Sequence, residues 1–181
     1  IGSVFTYVKV VPDVRGYLPL GTRRVVLAQR VQFGGIWTFS GSDAPVTRRL
    51  FLGGPSSHRG FTYNHLAPQA EAPDGNRIPI GGTSSLLFST DLRLSLIEIG
   101  GNWLGLNLFF DAGVTLSPTE TLDLSLLHLA VGASLAYQLP IGALRIGIGV
   151  RLNRTSEQTD GRSNPDPGER IAFHLTLGEA F

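Results

Sequence analysis

Cysteine and methionine are both missing from this chain of 181 residues. The first absence excludes disulfides, thiol catalysis and cysteine-ligated metals. The second leaves the chain without a start residue. No charged-then-apolar leader stands at Ile1 either, so the expectation is a mature product, a truncation or a fragment of something longer. Lysine is nearly missing too, since the basic residues are fourteen arginines and Lys9. A soluble surface is dotted with Lys and Glu, and their scarcity argues that little of this chain is ordinary wetted surface. The net charge of +1 makes no general case for nucleic acid or for an acidic partner. Although 42% of the residues are apolar, no run approaches the roughly 20 consecutive apolar residues of a membrane-crossing helix.

What is present is glycine, 23 residues of it, and an alternation of apolar with small or polar residues at period two. Helical periodicity is weak throughout. The pattern predicts an all-β antiparallel fold in one domain, with about seven strands over 3–17, 23–33, 84–97, 103–115, 127–138, 143–153 and 169–181. Pro12 has no N–H for a ladder, so the first strand must carry a bulge or lie at a sheet edge. Short turns at 18–22, 98–102 and 139–142 alternate with long polar or Gly/Pro-rich loops at 34–83, 116–126 and 154–168. Transmembrane barrels are connected in this way, with short periplasmic turns and longer extracellular loops. On that reading the 34–83 loop is extracellular and the carboxy terminus is periplasmic.

The two faces of each strand give a second test. Leu144, Ile146, Ile148, Val150 and Leu152 alternate with Arg145, Gly147, Gly149 and Arg151. Leu104, Leu106, Leu108 and Phe110 alternate with Gly105, Asn107, Phe109 and Asp111, and Thr90, Leu92, Leu94 and Leu96 alternate with Ser89, Asp91, Arg93 and Ser95. In the last strand Ile171, Phe173, Leu175, Leu177 and Phe181 oppose Ala172, His174, Thr176, Gly178 and Ala180. A soluble sandwich or lipocalin-like barrel would turn the apolar face inward and cover the other with Lys and Glu. Here the other face is Gly, Ala, Ser, Thr and His with a few Arg and Asp. That suits a crowded polar lumen, with the aliphatic face turned to the lipopolysaccharide and phospholipid of a bacterial outer membrane. Trp103 and Tyr137, beside short turns, stand where an interfacial aromatic girdle belongs. A membrane barrel must close, because an open edge in lipid leaves backbone groups unsatisfied. Single-chain bacterial barrels have even strand numbers. The expectation is therefore the carboxy-terminal strands of a larger barrel, closed by amino-terminal strands or a second copy, or else a minimal barrel.

The stretch Arg49-Leu50-Phe51-Leu52-Gly53-Gly54-Pro55-Ser56-Ser57-His58-Arg59-Gly60-Phe61, followed by Leu66-Ala67-Pro68, resembles the sixth extracellular loop of the BamA/TamA superfamily. This is the bacterial surface antigen family, with mitochondrial and plastid relatives, and its signature is an Arg-Gly-aromatic tip after a Gly-Gly pair. Pro79-Ile80-Gly81-Gly82 with the Asp91 strand is similar to the family's twelfth strand, and Leu108-Phe109-Phe110-Asp111-Ala112-Gly113 to its thirteenth. The segment from Tyr137 to Arg145 is similar to the turn between the fourteenth and fifteenth. The closing segment, with Phe173, Leu175, Leu177, Gly178 and Phe181, resembles the terminal signal by which barrel proteins are recognised for assembly. The matches run in chain order and span essentially the whole sequence. His58 departs from the aliphatic residue usual there, and no amino-terminal periplasmic domains or early strands are present.

Little in the sequence points to chemistry. There is no Gly-x-Ser-x-Gly elbow, phosphate loop or His-Glu-x-x-His. His58, His65, His128 and His174 lie on separate elements without metal-ligand spacing, so neither a metal nor a cofactor is expected. The loop from Asp160 to Asp166 offers oxygens but not the fixed ligand pattern of a calcium loop. Asn153-Arg154-Thr155 is a bare glycosylation sequon. By parity Asp91 and Asp111 point into the lumen from adjacent strands. The resemblance implies that Arg59, with Gly60 and Phe61 at the loop tip, folds in to meet them. A guanidinium between two repelling carboxylates makes charge-assisted, bidentate hydrogen bonds. In a wet lumen the contact is expected to contribute about 1 kcal/mol, with a structural and not a catalytic role.

The resemblance implies a non-enzymatic machine that assists insertion or translocation of client β-barrel or secreted proteins at the outer membrane. In that mechanism a weakly closed seam at the last strand pairs with an incoming one. The rival is a barrel anchor or small pore without assembly activity, alone or fused to or paired with an enzyme such as a lipase.

Overall fold

The structure, a computed structural model, describes residues 6–39, 43–73, 75, 77–118, 120–140, 142–153 and 170–178. In chain order the strands are β1 (Thr6–Val10), β2 (Asp13–Pro19), β3 (Val25–Phe39), β4 (Gln69–Glu71), β5 (Arg77–Pro79), β6 (Ser84–Ile99), β7 (Asn102–Leu116), β8 (His128–Leu139), β9 (Gly142–Arg151) and β10 (Ile171–Leu177). Helical turns among the described residues are the 3-10 segments Val46–Arg48 and Leu124–Leu126. An eight-stranded sheet runs β1-β3-β6-β7-β8-β9-β10 with β2 also on β3, and β4 and β5 form a separate hairpin. Pairing is antiparallel throughout. The sheet does not close on itself among the described residues, where β1 with β2 forms one edge and β10 the other.

β1 and β2 are one edge strand interrupted at Pro12. Val10 pairs with Gly35 and Asp13 with Gln32, so the register does not slip across the break. The Pro12 carbonyl still accepts from the Phe33 N–H at 3.1 Å. Of the two devices Pro12 allowed, the chain uses the edge. The bulge lies in β6 instead, between Ser95 and Ile97, so the expected alternation ends at Ser95 and Ile97 pairs with Leu104.

The loop expected over 34–83 starts later than its glycines suggested. Gly34 and Gly35 stay in the ladder opposite Ser85 and Ser84, and β3 runs on to Phe39. Ile36, Trp37, Thr38 and Phe39 are β-branched or aromatic residues that favour a strand and outweigh the glycine pair before them. The loop also holds its own hairpin, β4–β5. Turn positions shift less, as the first turn closes with the Leu20 N–H on the Val25 carbonyl at 2.8 Å.

Alternation sets the two faces. Ala172 is 3% exposed while its neighbour Phe173 is 76% exposed. Val31, Phe33, Leu108, Leu135, Ile146, Leu175 and Leu177 stand out on the convex side with Phe173. Left in water, each such side chain forfeits about 1.5–3 kcal/mol of burial, so this face calls for an apolar surrounding. The concave side is filled by the chain's own loop. Leu52, Phe61 and Leu66 pack there against Leu87 of β6, and Ala44 and Leu50 pack against Ile36 and Tyr7.

Candidate functional site

The loop re-enters the concavity by a narrow neck. Leu52 and Leu66 exchange backbone hydrogen bonds at 3.1 and 3.0 Å, and Leu50 and Gly82 do the same at 2.8 and 2.9 Å. Gly53 and Gly54 have φ of 108° and 101°, a backbone region that L side chains rarely adopt, and they turn the chain toward its tip. The Gly54 N–H donates to the Phe61 carbonyl at 2.9 Å, closing the tip on itself.

The structure brings Arg59, Asp91 and Asp111 together. The Arg59 backbone N–H and Nε donate to Asp111 Oδ2 at 2.8 and 2.9 Å, and Nη2 donates to Asp111 Oδ1 at 2.6 Å. Asp91 Oδ1 lies 2.7 Å from the same Nη2. That contact is an ion pair without hydrogen-bond alignment, since Asp91 Oδ1 has no hydrogen-bond partner. The carboxylates are diagonal neighbours, because Asp111 pairs with Ser89 and Asp91 with Phe109. The guanidinium also lies 3.8 Å from the Phe109 ring centroid. Asp111 is fully buried and Asp91 nearly so, so the pair is dry rather than the wet lumen contact that the sequence led us to expect. Burial makes the pair costly to form and far more costly to break from one side.

The tip sits on a floor of small residues. One register row crosses four strands as Phe109, Gly132, Gly149 and Ala172. A Cβ on Gly149 would collide with the Arg59 carbonyl, and one on Gly132 with the Phe109 ring. Gly60 rests over Ala130 and the stem of Arg151. Phe61 is buried, edge-to-face with His58 and His128 at centroid distances of 5.1 and 5.3 Å, and the Arg151 guanidinium lies 4.6 Å from its ring.

His58, the residue out of keeping with the family pattern, is fully buried and satisfied. Its Nε2 lies 2.8 Å from the His128 carbonyl and its Nδ1 3.3 Å from the Gly60 N–H. A carbonyl accepts and an N–H donates, so a single neutral tautomer, protonated at Nε2, serves both contacts.

Sequence reasoning missed three further ties. Arg30 Nη1 donates to the Ser56 carbonyl at 2.6 Å, while its Nε and Nη2 hold Asp13 at 3.1 and 2.8 Å. Thr115 Oγ1 donates to the Leu66 carbonyl at 3.0 Å. His174 Nε2 lies 2.8 Å from the Arg59 carbonyl. Alternation had placed only His174 on the inner face, Arg30 and Thr115 were not singled out, and the loop acceptors of all three are backbone carbonyls, which carry no residue signature.

In the terminal segment, Phe173, Leu175 and Leu177 face outward, away from the loop. Gly178 has φ of 106°, and its N–H donates to the Ala143 carbonyl at 2.9 Å. Phe181, the Asp160–Asp166 stretch and most of the sequon lie outside the described residues. Among the described residues no group of three or more His, Asp or Glu is placed to hold a metal.

Over its whole length the chain is 29% identical to the outer membrane protein assembly factor BamA of Nitratidesulfovibrio vulgaris, covering 21% of that protein. Over 84% of its length it is 27% identical to a SAM50-like protein of Schizosaccharomyces pombe, covering 32% of it. The chain thus spans a third or less of each curated relative. The crystal structure of BamA from Haemophilus ducreyi lacking POTRA domains 1–3 superposes on 92% of the chain, and on 34% of that structure, with a TM-score of 0.70 at 22% identity. The fold is that of a BamA-type barrel part. The family model of the Omp85 superfamily domain matches residues 1–181, and the chain belongs to that superfamily.

Proposed function

We propose that this chain is the carboxy-terminal part of a bacterial outer-membrane barrel that assists insertion or translocation of other proteins, without enzymatic chemistry of its own. The names of its relatives, an outer membrane protein assembly factor and a SAM50-like protein, support the reading. The observation that carries it is the β10 edge. Among the described residues β10 pairs with β9 alone, presents Phe173, Leu175 and Leu177 to the outside, and contains no charged residue. Edge strands of this kind template the addition of another strand, and charge or proline is what normally discourages it. Gly178, at a positive φ just past β10, weakens pairing near the end of the strand.

In this reading residues 1–181 form one barrel domain whose outer face meets outer-membrane lipid, with the carboxy terminus in the periplasm. The barrel closes with strands that precede it or with a second copy. The incoming partner is a client β-barrel or secreted protein. Arg59, Gly60, Phe61, Asp91 and Asp111 position the loop and do not react. Phe173, Leu175, Leu177, Gly178 and Phe181 form the segment read during the protein's own assembly.

The test is insertion of a client. The intact protein is reconstituted into phospholipid vesicles, and a urea-unfolded outer-membrane porin is diluted onto them. Porin folding, followed by its heat-modifiable gel mobility, is expected to be at least tenfold faster than on empty vesicles. Equal rates would overturn the assembly reading in favour of an anchor or small pore.

A further inference from the structure

Among the described residues, the edge strand and the loop tip are tied by a side-chain hydrogen bond of His174. β10 lies against β9 over seven register pairs, from Ile171 opposite Val150 to Leu177 opposite Leu144. Its inward residues are Ala172, His174 and Thr176. Toward one end, Ile171 and Ala172 line an open cleft of about 400 Å³ together with Gly60, Phe61 and Thr62 of the tip. His174 reaches the tip, its Nε2 2.8 Å from the Arg59 carbonyl.

The acceptor is held rigidly. The Arg59 N–H and guanidinium are both fixed on Asp111. The Arg59 carbonyl carbon lies 2.7 Å from where a Gly149 Cβ would stand, so the peptide rests flat on bare β9 backbone. Whatever bonds to this carbonyl is therefore referred to β6 and β7 through Arg59. The imidazole reaches it from the strand position opposite Gly147, where no side chain intervenes.

We propose that His174 is a positioning residue that latches the edge strand to the loop tip, so that β10 must surrender this hydrogen bond before it swings out to pair with another strand. The inference rests on the proposed function in taking β10 as the pairing edge. The tip then does more than pin the loop, because it also holds the seam. Because the acceptor is a backbone carbonyl, the latch works through the reach of the position 174 side chain and its N–H. Glutamine carries an amide N–H at comparable reach, whereas alanine has neither donor nor reach and asparagine falls short.

The intact protein in lipid nanodiscs is compared with His174→Ala, His174→Asn and His174→Gln by hydrogen–deuterium exchange. The β10 amides are expected to exchange about two- to tenfold faster in the Ala and Asn variants, the factor that one hydrogen bond of ordinary net strength supplies. The Gln variant should return them toward the parent rate. Amides of β6 and β7 and the protease resistance of 53–66 should stay unchanged in all three. If β10 exchange is unaltered in Ala and Asn, or if Gln behaves like Ala, the latch is overturned. The Asn variant keeps the test open should Ala fail to fold. The porin assay separates this from the reading beneath it. Faster client insertion by the Ala variant supports the latch as a brake, and slower insertion overturns it. A parent protein that inserts nothing overturns the assembly reading, while the exchange rates still decide the latch.

Discussion

Two parts of one loop behave in opposite ways. The tip, 53–66, lies in the concavity of the sheet with Arg59, His58, Phe61 and Leu66 almost shut off from solvent. The hairpin of β4 and β5 follows directly and stands outside on strands of three residues each, with Ile78 half exposed. Both are polar, Gly/Pro-rich sequence, and composition does not separate them. The difference lies in what the sheet offers. To the tip it presents two buried carboxylates, the small residues Gly149 and Ala130, and donors aimed at backbone carbonyls. The hairpin has little beyond its own cross-strand pairs, and an isolated two-stranded hairpin is marginal in water. Order in a long loop is thus built largely by the scaffold that receives it.

The strongest way to abolish the difference is Arg59→Ala. It leaves Asp111 buried without its counter-charge, and breaking a buried pair from one side costs about 3–5 kcal/mol. This exceeds the roughly 1 kcal/mol of a solvated pair, because Asp111 is wholly enclosed. The tip should undock and be cut by protease as readily as the hairpin, with the sheet retained by circular dichroism. Tip resistance equal to the parent's would mean that the floor alone holds it. Arg59→Lys is expected to fall between, since lysine lacks the fork that grips both Asp111 oxygens.

Filling the floor is the next largest perturbation. Gly149→Val places a side chain where the Arg59 peptide lies. The obstacle is backbone on both sides, which cannot rotate away, and overpacking of this kind costs about 1–3 kcal/mol. Proteolysis at 53–66 should rise while the β8–β9 ladder keeps its exchange protection. Normal tip protection in this variant would show that the seat is deeper than the glycine contacts indicate.

The strand faces were legible because alternation rests on side-chain identity in a fixed period, whereas Arg59 was legible only through the family resemblance of its loop. Alternation put Asp91 and Asp111 on the inner face, and the Arg-Gly-Phe tip after Gly53-Gly54 named what meets them. Three other things were hidden. Gly34-Gly35 reads as loop, yet its ladder with Ser84 and Ser85 is decided by the partner strand. The Asp13–Arg30–Ser56 chain joins residues whose proximity depends on register across a proline. His58 looked misplaced because its two partners, the His128 carbonyl and the Gly60 N–H, are backbone.

That histidine makes the comparison sensitive to pH. Burial drives the His58 imidazole below its ordinary value of 6.5; Asp111 opposes the shift and Arg59 adds to it. His128 and Arg151 also face the tip, across the Phe61 ring. The docked tip therefore keeps His58 neutral, whereas an undocked tip takes up a proton once pH falls below about 6.5. Docking is at full strength above that value and weakens below it, by up to about 1.4 kcal/mol for each pH unit until the docked form also titrates. Tip proteolysis should rise from pH 7.5 to 5.5, and His58→Leu should flatten the profile whatever it does to the absolute rate. A wild-type profile already flat over this range would remove His58 as its source.

The smallest effect belongs to the hairpin, and it tests whether the tip stands on its own. Glu71 and Arg77 are paired across β4 and β5, both exposed, as is Ile78 opposite Ala70. Glu71→Ala, Arg77→Ala and Ile78→Ser each remove surface contacts of a kind that stays within about 0.5 kcal/mol. They should speed cleavage within 69–79 while leaving the tip untouched. The reason is the neck, where Leu52–Leu66 and Leu50–Gly82 close the loop on the sheet side of the hairpin. Fraying beyond that neck has no lever on Arg59. If any of the three loosens 53–66 as much as it loosens the hairpin, the neck does not isolate the tip. The loop would then be one cooperative unit, and its two halves would differ in exposure but not in how they are held.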